Sequence, residues 1–535
     1  MRYYPFVLVL VVLFFKTEAQ SLVPPEKPTL IVNIVLDNVS DEEIDRYRHL
    51  LSKDGLLKLR NEGLTFSSAF YPYASNDRAS DYASISTGAS PRYHGIVSDE
   101  WYVRNREAFQ SAVSGEKSAL VDAPEIISGY DAKNMVATTI GDELKLSTMG
   151  KSKVYSVSMD PMASVLLAGH AADAAFWFDN TMGAWVSSDY YLHQIPDWLD
   201  FFNGQNYADF YLGQEWLLSQ NILNDRTIEW REKTFLPLDL GEFYGKDSSY
   251  SILSSTPMGQ MFVEDFSREL IKNEDLGADD YTDLLYVNFS SITDPRLHYG
   301  KYAIEKADML VRLDQSIARL LDDIDDEIGL DRCLIALTST KQVGMSVQEL
   351  EDQGMPAGCF DPERGQALLN SYLMAIHGQG KWVLSLHKQQ VYLNKKLIEK
   401  SHLDLDAFEE QVASFMEEFS GVKWAIPSYK LKYADFKDET FIAMQESYFP
   451  SRCGDVFLSY FPGWAEAPAE DSKAFTFSHN NAMVPMYFYG WKAIRTEVTS
   501  KVYMTGLAPT LASILNISIP NSSSKNLIFD ELKKK

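Results

Sequence analysis

The sequence predicts an α/β protein built on a mostly parallel central sheet with helices on both faces. Three observations lead there. Strand-length runs are apolar at nearly every position, helical patterns lie between them, and polar residues punctuate the carboxyl ends of the runs. Strands alternating with helices favour a parallel sheet covered on both sides.

Residues 29–36 form the first such run, and Asp37 and Asn38 end it. Residues 154–159, 283–289, 333–338, 455–460 and 484–489 read the same way. Between and after them, residues 303–324, 405–419 and 508–515 repeat apolar side chains three and four apart, the period of a helix face. In such sheets the ligand site lies beyond the carboxyl ends of the strands. The acidic run 322–327 lacks the glycine and the terminal glutamate spacing of a calcium loop, so it reads as the solvated end of a helix.

The chain is 45% hydrophobic and 23% charged, enough apolar material for a large core. No Gly/Ser or Pro-rich tract divides its 535 residues, and no internal repeat is visible. A formal net charge of −26 argues against nucleic acid and anionic lipid as partners. Arg2, the apolar run 6–15 and the small residues at 17–19 predict a cleaved secretory signal over residues 1–19. The run is too short for a bilayer core of about 30 Å, and the mature chain has no second one. A periplasmic or secreted protein is expected. The three cysteines, Cys333, Cys359 and Cys453, allow at most one disulfide and lack zinc-ligand spacing.

Five segments in order carry a resemblance: LIVNIVLDNV, SISTGASPRYHGIVSDEWY, AGHAADAAFWFD, FSSITDPRLHYG and TGLAPTLASIL. Together they resemble the alkaline phosphatase superfamily, nearest to secreted bacterial phosphate-irrepressible phosphatases, with nucleotide pyrophosphatases further off. The resemblance runs from about residue 28 to the C-terminus. It implies one alkaline phosphatase-like α/β domain with insertions over residues 20–535. It also implies two zinc ions about 4 Å apart and a Thr or Ser nucleophile.

Matched residue by residue, the implied site is incomplete. Asp37 matches the first metal ligand. Asp294 and His298 match the Asp-x-x-x-His motif of the second zinc. The nucleophile position holds Arg78, with Ser75 and Ser80 as the nearest hydroxyls. Arginine has no nucleophilic oxygen and does not ligate zinc. The adjacent Asp-His pair is replaced by Thr340 and Lys341, and the last histidine by Met483, with His479 four residues upstream as a candidate substitute. The phosphate clamp is altered too. Asp99 stands for an Asn, and Asp160 and Met162 stand for a Lys and an Arg. Carboxylates there repel a phosphoryl group.

A catalytic zinc normally has three protein ligands, so the retained set predicts no cofactor, or weak zinc at most. Without metal, Asp37 and Asp294 would be costly buried anions. The expected compensation is Arg78 on Asp37, and Lys341 on Asp37 or Asp294. His94 and His170 read as structural, and Trp177 and Trp185 as core or pocket wall. The functional expectation is a catalytically degenerate exported protein that binds an envelope protein or a small ligand. The alternative is a hydrolase of phosphomonoesters or phosphodiesters with one metal on Asp294, His298 and His479. A third reading is a purely structural subunit of an envelope assembly.

Overall fold

A computed structural model describes residues 25–123, 127–225, 234–247, 249–290, 297, 303–467, 474–476 and 483–528. The predicted signal segment 1–19 and the site candidates Asp294, His298 and His479 lie outside the described residues.

A ten-stranded sheet forms the centre. Along the chain its strands are β1 (Leu30–Leu36), β2 (Leu64–Phe70), β3 (Val154–Ser158), β4 (Ala174–Asp179), β5 (Ala184–Val186), β6 (Asp283–Phe289), β7 (Cys333–Ser339), β8 (Met483–Gly490), β9 (Thr496–Val498) and β10 (Val502–Tyr503). Their spatial order is β9-β2-β8-β7-β1-β6-β3-β4-β5, with β10 pairing on β2. The block from β7 through β1, β6 and β3 to β4 is parallel.

β1 shows why the run at 29–36 is apolar at nearly every position. Leu30, Val32, Ile34 and Leu36 enter the core on one face, with the helices Pro257–Asn273 and Ile304–Glu327. Ile31 and Val35 enter the core on the other, with the helices Arg78–Thr87 (α1), Pro161–Ala168 (α2) and Leu507–Leu515. Each face buries its own set of side chains, and Asn33, the polar residue within the strand, is buried with them.

Two strand expectations need correction. The run at 484–489 belongs to the central sheet, but β8 runs antiparallel to both its neighbours, β7 and β2. The run at 455–460 is not in that sheet. Val456–Tyr460 belongs to a separate four-stranded sheet with Val383–His387, Gln390–Leu393 and Val422–Pro427. Val456 and Leu458 sit in that sheet's own core, while Phe457 turns toward the core of the large sheet. An apolar run records burial on two faces; it carries no information about strand direction or sheet membership. The predicted helix at 405–419 is Leu405–Met416 and covers the small sheet. All three cysteines are free, and Cys333 is buried at the start of β7.

Candidate functional site

The carboxyl ends of β1, β3, β6 and β7 meet at one edge of the sheet and deliver the predicted residues. Asp37 leaves the end of β1 and is fully buried. Arg78 opens α1, and its Nη1 donates to Asp37 Oδ2 at 3.1 Å. The expected pair is formed. One turn further along α1, the Tyr82 hydroxyl donates to the same oxygen at 2.7 Å. Asn288, on β6, donates through Nδ2 to Asp37 Oδ1 at 3.1 Å and to the carbonyl of Val35 at 3.0 Å. Its own Oδ1 accepts from the Ser158 hydroxyl of β3 at 2.7 Å. Burial holds the Asp37 carboxyl above its ordinary pKa, and Arg78 and Tyr82 oppose that rise.

Lys341 departs from one of its two expected partners, Asp37, while the other, Asp294, lies outside the described residues. Its ammonium sits 2.9 Å from Asp81 Oδ1, and its backbone N–H donates to Asp81 Oδ2 at 2.8 Å. It also donates to the Ser75 carbonyl. Tyr73 donates its hydroxyl to Asp81 Oδ1 at 2.8 Å, and the ammonium lies 4.0 Å from the centre of the Tyr73 ring. Asp81 lies on the first turns of α1, where its carboxylate takes both the backbone N–H and the ammonium of Lys341.

The remaining predicted positions have ordinary local partners. Thr340 accepts the backbone N–H of Asn38 on its hydroxyl at 3.1 Å, tying the ends of β1 and β7 together. Asp160 caps α2 by accepting the N–H of Met162 at 2.9 Å, and its other oxygen lies 3.5 Å from Arg78. Met162 is half-buried against the core, and Met483 opens β8. Asp99 accepts the N–H of Ala79 at 2.9 Å and so caps α1 from a distant turn. Burial and the neighbouring Asp77 push the Asp99 carboxyl up to about 6. Ser75 and Ser80 share a hydrogen bond at 2.9 Å, and each also donates to a carbonyl. His94 is buried, with burial and Arg452 pushing it down to about 3, and His170 lies against the carbonyl of Ala137. Trp177 and Trp185 are core residues.

Lys388 was not foreseen. It arrives from the tip of a hairpin in the small sheet, and its ammonium contacts Asp77 at 2.6 Å and approaches Asp99 at 4.0 Å. Lys388 and Gln389 both adopt positive φ, 47° and 63°. Their N–H groups donate to the Glu466 carboxylate at 3.0 and 2.8 Å, which fixes this turn. No motif surrounds Lys388; the only sequence signal was a gap of four polar residues, 387–390, between two short apolar runs. Between this hairpin and the end of the large sheet lies a cavity of about 1100 Å3, with Asp77, Lys341, Lys388, Tyr460 and Trp464 in its wall.

Residues 31–479 match the type I phosphodiesterase/nucleotide pyrophosphatase family. The chain belongs to that family. The alkaline phosphatase PafA of Elizabethkingia meningoseptica is 26% identical over 519 residues, 94% of each chain. The alkaline phosphatase PhoV of Synechococcus elongatus is 25% identical over 520 residues, covering 95% of this chain and 93% of PhoV. A Myroides odoratus protein named calcium-transporting ATPase is 28% identical over 514 residues. The crystal structure of wild-type PafA superposes with a TM-score of 0.85 over 94% of this chain and 98% of PafA. The fold is therefore that of PafA, and the alkaline phosphatase superfamily is its home. No helix among the described residues is long and apolar enough to cross a membrane.

Proposed function

We propose that this family member is an exported pseudoenzyme that has given up zinc-dependent phosphate ester hydrolysis and keeps the fold for binding at the cell envelope. The observation that carries the reading is the donor set around Asp37. Its two oxygens already accept from an arginine, a tyrosine and an asparagine. A zinc ion at this carboxylate would have to displace them and sit beside a guanidinium that stays protonated at any working pH. The described residues around Asp37 are a poor fit to a metal. Lys341, at a family ligand position, has its charge committed to Asp81.

The register of this reading has independent support. A PafA variant of known structure carries substitutions at a threonine, an asparagine, a lysine and an arginine. Those four positions have the mutual spacing of Arg78, Asp99, Asp160 and Met162 to within one residue. The persistence of a large cavity favours ligand or protein binding over a purely structural subunit.

The alternative is a hydrolase with one metal on Asp294, His298 and His479, favoured by the phosphatase names of the relatives PafA and PhoV. Elemental analysis of the mature chain, residues 20–535, after dialysis against trace zinc separates the two. Near-zero zinc, with no turnover of a phosphomonoester or phosphodiester, is expected. One or two zinc ions per chain with turnover would replace the pseudoenzyme by the hydrolase. Export is tested by N-terminal sequencing of the mature protein, which should begin at about residue 20.

A further inference from the structure

The cavity beside the old centre has a floor that the ion pairs above do not explain. Strand Gly358–Phe360 pairs with Trp464–Glu466, and Gly358 lies directly opposite Trp464. A Cβ on Gly358 would meet the six-membered ring of Trp464 at 2.9 Å, and one on Gly421 would meet it at 2.0 Å. The indole is thus laid on two glycine backbones, and any side chain at either position would lift it. Trp464 and Tyr460 both form part of the cavity wall. An indole pinned on glycine in a cavity wall is a stacking surface.

The charges of the wall decide what stacks there. Its two lysines among the described residues are spent: Lys341 is closed on Asp81, and Lys388 is bonded to Asp77 and near Asp99. Two wall carboxylates are open. Asp361 uses one oxygen to cap the helix Pro362–His377, accepting from the N–H of Arg364 at 3.0 Å, and Glu363 is exposed on that helix's first turn. Both follow within three residues of the strand that supports the indole. The net charge of −26 draws cations toward such a cleft.

We propose that this cavity binds an organic cation, an amine or guanidinium on an apolar stem, with its stem or head on the Trp464 face and its charge on Asp361 and Glu363. The inference rests on the binding reading given above and names the ligand class. A neutral sugar would use the indole without the carboxylates. A phosphate-like anion would face the unpaired carboxylates and find both lysines occupied.

Calorimetric titration of the full mature chain with spermidine tests it, with maltose and inorganic phosphate as neutral and anionic controls. Saturable spermidine binding that weakens with added salt is expected. Trp464→Ala and Glu363→Gln should each weaken it by about tenfold or more. Glu363→Gln removes an exposed charge, so it stays informative if Trp464→Ala fails to fold. The proposal is overturned if spermidine shows no saturable binding, if both variants bind it as tightly as the wild type, or if maltose or phosphate binds more tightly than spermidine. Zinc occupancy is measured on the wild type without amine, so a failure here leaves the pseudoenzyme reading standing, and a zinc-loaded wild type leaves this one to be judged by its own titration.

Discussion

Arg78 and Lys341 both stand at the carboxyl end of the central sheet, and each faces a buried aspartate. Their surroundings differ. The Lys341 side chain is 5% exposed and its partner Asp81 1%. The ammonium is enclosed by a carboxylate, a carbonyl and two tyrosine rings. The Arg78 side chain is 31% exposed, and its partner Asp37 has two further donors. One pair is sealed and mutually dependent. The other is half open, and its carboxylate would keep company without the cation. A buried pair is expensive to break from one side, whereas a partly solvated pair is cheap.

The largest effect should therefore come from Lys341→Met. It leaves Asp81 buried beside Tyr73 with no cation. A loss of about 3–5 kcal/mol in urea unfolding is expected. A loss below about 1 kcal/mol would mean that Asp81 finds another partner and that the two pairs are not different in kind.

Next in size is the recovery in the double variant Lys341→Met with Asp81→Asn. Burial raises the pKa of Asp81 and lowers that of Lys341, so each partner is pushed toward its neutral form despite the other. Such a pair is replaced by neutral groups at little cost. An asparagine can accept the Lys341 backbone N–H through its oxygen and donate to the Tyr73 hydroxyl, which already donates to the carbonyl of Ser80 at 3.0 Å. Stability within about 1 kcal/mol of the wild type is expected, and a double variant as weak as the single one would place the cost elsewhere.

What the sequence made legible follows the same division. Arg78 and Asp37 were readable as a pair because each is anchored to an element end: Asp37 to the end of an apolar strand, Arg78 to the start of the next buried helix. Lys341 was readable as a misplaced cation, but its partner was not. Asp81 lies inside α1 and meets Lys341 only once that helix has packed, and no periodicity records that distance. Lys388 was invisible for the same reason, since a hairpin tip far along the chain reaches Asp77 only through the packing of one sheet on another. The fold was legible where burial on both faces writes a continuous apolar run, as in β1, β6 and β7. It failed at Val456–Tyr460 and β8, where an equally apolar strand belongs to a different sheet or runs the other way.

The smallest effect sharpens the open half of the comparison. Arg78→Ala should cost about 1–2 kcal/mol at pH 8, because Tyr82 and Asn288 remain on Asp37. Its pH dependence is more telling than its size. Burial is the largest influence on Asp37 and raises its pKa from an ordinary 3.8, and Arg78 is the largest influence opposing it. Removing the guanidinium raises the folded-state value further. A carboxyl whose folded pKa is raised binds more protons folded than unfolded, so its contribution is present at low pH and is lost as pH rises through the folded value. The deficit of Arg78→Ala relative to the wild type should then shrink as pH falls and grow as it rises toward pH 8. Urea unfolding of both proteins at pH 4, 6 and 8 measures it. A deficit constant across that range would mean that Arg78 stabilises the fold through its packing or through α1 and not through Asp37.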